Sequence, residues 1–169
     1  MADSILSKNG FVSPSRGSVT IGQIIDEVSG FIDEDPKSLY RLVIGTDSQV
    51  KRVNGVNEID YVTALIIHRS GKGARYFWKK EKLSKAPVLR EKIYSETVRS
   101  LEFAHEIVPE IRKVIPEKKY DFEIHIDVGP NGSTRDMIKE VVGMVVGNGF
   151  TAKTKPESWG ASSVADKHT

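Results

Sequence analysis

Three strand-like runs in quick succession limit this chain more than any other feature. Residues 41–50 (RLVIGTDSQV), 58–68 (EIDYVTALIIH) and 74–83 (ARYFWKKEKL) are rich in β-branched and aromatic residues. Asn54-Gly55 separates the first two runs, and Ser70-Gly71-Lys72-Gly73 separates the second and third. Asn-Gly supplies the positive φ of a tight hairpin, and connections this short join antiparallel neighbours. A three-stranded antiparallel meander follows. Its first run carries an oddity. Leu42-Val43-Ile44-Gly45-Thr46 reads as buried, and Asp47 comes where that strand is expected to be ending. Aspartate is depleted in strands and is almost never fully buried without a partner. Asp47 therefore either caps a turn or holds a ligand.

The flanking pattern extends the meander into an α/β fold. Before it, residues 1–18 read as an irregular, Ser- and Gly-rich lead-in. Ile21, Ile24, Ile25, Val28, Phe31 and Ile32 then recur at helical spacing up to Pro36. After it, Pro87 suits a helix start, and residues 88–114 carry a long helical pattern that Pro109 kinks or ends. Residues 120–128 alternate as a strand, with Phe122, Ile124, Ile126 and Val128 on one face and Glu123, His125 and Asp127 on the other. Coming after a helix, that strand is expected to lie parallel to the first, through a right-handed crossover. Ser133 and Asp136 read as a capping box for a helix over 134–146. A fifth strand over 150–155 and a short helix over 159–167 complete the chain. The expectation is a mixed five-stranded sheet, antiparallel meander then parallel strands, flanked by helices in one domain over residues 19–169.

Bulk properties narrow the function classes. A chain of 169 residues can bury a core without staples, and it contains no cysteine, which excludes disulfides and thiolate zinc sites. A formal charge of +2 does not by itself argue for nucleic acid. The N-terminus lacks an apolar leader and no run approaches a membrane span, so a cytoplasmic protein is expected.

The chemistry then rests on the acids. Two-metal phosphodiester hydrolysis needs carboxylates converging from separate elements. Asp47 and Asp127 would share the carboxyl edge of the sheet, where open α/β folds bind ligands. On the long helix, Glu96 lies roughly 45° from the centre of the apolar stripe at about 100° per residue, whereas Glu91 and Glu102 point to solvent. Asp166 follows Ser162-Ser163-Val164-Ala165, small residues that permit close approach. His125 either adjoins the site or lines the space beneath a helix. His168 either moves protons or is merely solvated. Lys79, Lys80, Lys82 and Lys85, with Lys51 and Arg52 nearby, either contact phosphates or protect a sheet edge from pairing. Tyr76, Phe77 and Trp78 read as core.

Taken in order, an acid on the first meander strand, one on the next helix, one on the fourth strand and one on a late helix resemble the ribonuclease H-like superfamily. The phrases GTDSQ, SETVRSLEFA, HIDVGPNGSTRD and KPESWGASSVADKHT resemble its YkuK-like family over roughly residues 11–169. The resemblance implies a metal-dependent nuclease using two Mg²⁺ or Mn²⁺ ions, with Asp47, Glu96, Asp127 and Asp166 as metal ligands and catalytic residues. It implies RNA, DNA or hybrid as partner. Glu91 remains the alternative to Glu96, because the superfamily's glutamate often sits near the helix start. Two other functions compete: a non-catalytic nucleic-acid- or protein-binding module, and nucleotide binding of the actin/Hsp70 type through the turn after Asp127, which in those proteins takes two domains.

Overall fold

The computed structural model describes residues 10–84 and 87–169. The meander is its backbone: β3 (Tyr40–Val53), β4 (Val56–Arg69) and β5 (Ala74–Leu83). The first turn is closed by Asn54 at φ 52° and Gly55 at φ 79°, which gives the positive φ that an Asn-Gly hairpin requires. β6 (Asp121–His125) adds parallel to β3, and β7 (Thr151–Lys153) adds parallel to β6.

The sheet has seven strands rather than five, in the order β2-β1-β5-β4-β3-β6-β7. The additional pair comes from the stretch read as irregular. β1 (Phe11–Ser13) and β2 (Gly17–Val19) form a hairpin, and β1 meets β5 through Val12 and Trp78. Strands of three residues are too short for a period-two pattern to show in sequence. Residues 1–9 of the lead-in lie outside the described residues.

Helices cover one face. α1 (Ile21–Glu34) begins with a capping box in which Thr20 and Gln23 bond each other's backbone N–H. α2 (Leu89–Arg112) runs through Pro109, and α3 (Ile138–Gly147) follows β6. The expected cap at Ser133 does not form. Arg135–Met137 makes a 3₁₀ turn, and α3 starts at Ile138 without a side-chain cap. The main core lies between these helices and the sheet, with Leu42, Ile44, Leu65 and Ile124 facing Ile93, Phe103 and Ile107. Thr46 and Ser100 fix α2 on this face by a buried 2.7 Å hydrogen bond.

Among the described residues, the other face is covered by the terminal segment. It is not the expected α-helix over 159–167 but a π-helical stretch, Gly160–Ala165, continued by a 3₁₀ turn, Asp166–His168. It lies directly on β3. A Cβ at Gly45 would stand 2.6 Å from Ala161 N, and one at Gly160 would stand 2.6 Å from Val43 Cγ1. Both contacts are closer than real Cβ atoms tolerate, so the approach depends on glycine at both positions. Gly45→Ala is expected to cost about 1–3 kcal/mol of overpacking strain in urea unfolding. An unchanged midpoint would mean that the segment is not seated this way.

Candidate metal centre

The parallel pairing that builds the site is short. β3 and β6 stay in register from Arg41↔Asp121 to Gly45↔His125 and then part. Two residues further on each chain stand Asp47 and Asp127. Asp47 does not end its strand as expected, since β3 continues with β4 to Val53. Asp47 sits instead where the parallel neighbour leaves. The departure opens the sheet beside β3, so groups from both faces can reach one place. Glu96 comes from α2 on the core face, and Asp166 comes from the terminal turn on the other.

Their electrostatics report this convergence. Asp47 is 7% exposed, and its pKa is pushed up to about 7. Burial is the largest cause, followed by the hydrogen bond to the Asp166 carboxyl and the charges of Asp127 and Asp166, with Lys92 opposing. Glu96 is buried, and its pKa lies well above the usual value through burial, then the Asp47 charge and, more weakly, Asp127. Lys92 and the Ser48 hydroxyl pull it back only in part. Asp166 is exposed and Asp127 is half-buried. Glu91 is exposed on the outer side of α2.

Two cations already lean on the cluster. Lys92 stands one helical turn before Glu96, and Lys155 Nζ lies 3.2 Å from Asp127 Oδ1, without hydrogen-bond geometry. Lys155 is anchored by its backbone N–H on Val128 O and by its stem against Gly129. Nothing in the sequence pattern singles out Lys155, because it lies in the turn after a strand of only three residues and the contact crosses between loops.

The histidines have defined places. His125 is fully buried: its Nδ1 accepts the Gly160 N–H at 3.0 Å, so Nε2 carries the proton and donates to Glu123 Oε1 at 3.0 Å. Burial lowers its pKa against the pull of Glu123, which keeps the ring neutral. It holds the terminal segment rather than facing the acids. The ring of His168 stacks on Trp78 with centroids 4.2 Å apart, and its Nε2 is 3.0 Å from the Tyr76 hydroxyl. His68 packs against Trp159, and His105 bonds Asn148.

The donor set suits a hard divalent cation. All four groups are carboxyls, Glu96 Oε2 is buried with no hydrogen-bond partner, and four acids stand against two lysines. Among the described residues no three His, Asp or Glu side chains stand ready around one point, so ligation requires side-chain adjustment.

A parallel strand added to an antiparallel meander, with acids at the point where the two part, defines a ribonuclease H-like protein. The chain belongs to the ribonuclease H-like family, whose model matches residues 23–169. It is 37% identical to the uncharacterized protein YkuK of Bacillus subtilis (strain 168) over 180 residues, covering 100% of this chain and 99% of the relative. No solved structure matches it. No helix among the described residues is long and apolar enough to cross a membrane.

The raised Asp47 pKa has a measurable consequence. An unfolded aspartate loses its proton near 3.8, whereas folded Asp47 keeps it to about 7. The folded, ion-free state therefore binds more protons, and this contribution is full below about pH 4 and lost as pH rises through about 7. Asp47→Asn, which stays neutral, is expected to flatten that dependence and to raise Tm at pH 8, by about 2–4 °C per kcal/mol relieved. A lower Tm at pH 8 would contradict the repulsion.

Proposed function

We propose that the protein is a divalent-metal-dependent nuclease that hydrolyses phosphodiester bonds in nucleic acid. One observation carries this. Asp47, Asp127, Asp166 and Glu96 are drawn from four separate segments to the place where β6 leaves β3, and their charges raise the affinity of Asp47 and Glu96 for positive charge. A fold alone does not define an activity, so the weight rests on the site.

In this reading Asp47 and Asp127, completed by Glu96 and Asp166, would hold two Mg²⁺ or Mn²⁺ ions. Such ions stabilise the attacking and leaving oxygens of an in-line displacement. The chain's own task is to hold the acids converged, so that a cation rather than a proton can neutralise them. Burial of Glu96 and Asp47 removes competing water, and the seated terminal segment fixes Asp166 over β3. Lys155 can release Asp127 and turn toward a phosphate. A cytoplasmic setting, with abundant Mg²⁺ and nucleic acid, fits this assignment.

A second reading, a non-catalytic nucleic-acid- or protein-binding module, is favoured by the lack of a ready ligand sphere among the described residues. The two separate cleanly. Titration with Mn²⁺ is expected to raise Tm at pH 8, and less so at pH 5, in the native chain but not in Asp47→Asn. A panel of RNA, DNA, hybrid and branched substrates should then show Mn²⁺-dependent cleavage. Asp47→Asn should lower it at least about 100-fold, the loss that even an outer-shell change inflicts on a metal site. Cleavage that survives in Asp47→Asn would sink the assignment.

A further inference from the structure

Side chains on one face of β5 alternate with those on the other, and the ladder shows which face is which. Tyr76, Trp78, Lys80 and Lys82 lie opposite Ile66, Ala64, Val62 and Asp60 of β4. Val62, Ala64 and Ile66 pack with Ala165 of the terminal segment, so this is the face of Asp47 and Asp166. Two aromatic residues and two lysines therefore follow one another along β5, up to and just past the row of Asp47. The register is specific. Asp47, Val62 and Lys80 form one row across β3, β4 and β5, which puts Lys80 about 10 Å, two strand spacings, from Asp47. Lys82 lies in the next row, with Asp60 and Gln49, and Trp78 in the row of Gly45.

The basic end is a built feature rather than loose surface charge. Asp60 is 2% exposed, and its carboxylate takes Lys51 Nζ at 3.0 Å and Lys80 Nζ at 3.5 Å. Burial pushes its pKa up, but the hydrogen bond and charge of Lys51, then Lys80 and Lys82, outweigh it and hold the carboxyl below its usual range. Glu58, opposite Lys51 in the ladder, tempers the surplus, and three ammonium groups still face two acids. Lys51 also donates to Thr169 O at 2.7 Å, tying the patch to the terminal turn. Edge protection does not account for the whole row, because β5 is paired with β1 at Trp78.

The aromatic end is a stack. Trp78 and the half-buried His168 lie parallel, 10° apart, and the Tyr76 hydroxyl fixes the His168 ring from the side. A flat two-ring column beside a row of ammonium groups has the chemistry of single-strand recognition: bases stack on rings without sequence preference, and phosphates follow the lysines. We propose that Tyr76, Trp78, Lys80 and Lys82, with Lys51 and His168, form a single-stranded nucleic-acid track that delivers a phosphodiester backbone to the carboxylate cluster. Its direction toward Asp47 rests on the nuclease assignment. Binding itself does not require cleavage.

The track is tested by fluorescence anisotropy with labelled oligo(dT) and oligo(U), and with a duplex of equal length. The full chain carrying Asp47→Asn is used in Mg²⁺, so that the probe survives. Single strands are expected to bind at least about 10-fold more tightly than the duplex. His168→Ala and Trp78→Ala should each weaken single-strand binding by about 5-fold or more, within the range seen for lost base stacking. Lys80→Ala and Lys82→Ala should each reduce the slope of log K against log salt by about 0.7. Trp78→Phe retains a ring and the fold, and is expected to bind within a few-fold of the parent. Duplex preference, or single-strand affinity and salt slope unchanged in the histidine and lysine variants, overturns the track. Asp47-dependent cleavage of duplex alone would overturn it while leaving the nuclease assignment standing. Single-strand binding by a native chain that cleaves nothing would keep the track and remove the nuclease.

Discussion

The site depends on a backbone-to-backbone contact. Gly160 and Ala161 rest on Gly45 with no side chain between them, and the Gly160 N–H is bound by the inward nitrogen of His125. Close packing of this kind is intolerant of even one added methyl. Everything the terminal segment contributes is set by it: Asp166 reaches Asp47, and His168 reaches Trp78. His125, which in the sequence shares a strand face with Asp127, thus serves the structure. A neutral imidazole, proton on the Glu123 side, can accept a backbone N–H where a charged one cannot.

The acids illustrate a tension between stability and function. Four carboxylates brought together with two lysines repel one another, and burial of Asp47 and Glu96 makes the repulsion stronger. A core designed for stability alone would place an apolar residue there, as β4 does with Val62 opposite Asp47. Local rules broken at one place, and kept elsewhere, mark functional sites. Asp60 is the counterexample within the same sheet: it is equally buried, but lysines surround it and hold its pKa down. The contrast between the two buried aspartates separates a charge that lysines stabilise from one that neighbouring acids oppose.

Much of this architecture was legible in the chain. The Asn-Gly hairpin, the meander, the long helix and the alternating strand over 120–128 follow from periods and turn chemistry acting over a few residues. Glu96 was distinguishable from Glu91 by helix geometry, and the structure places the first against the sheet and the second in solvent. Short elements escaped. β1 and β2 are three residues each and are held by pairing rather than by pattern, and the cap expected at Ser133 lost to a 3₁₀ turn.

By itself the sequence determined which residues could carry chemistry and which face of each element they occupied, because local periodicity is a property of the chain. The tertiary structure decided what they meet. It showed that Asp47 lies mid-strand where β6 departs, that His125 seats the terminal segment, and that the lysines of β5 share a face with the acids. Those facts depend on strand order, register and one glycine contact, which arise between residues far apart in the chain. No local pattern encodes them.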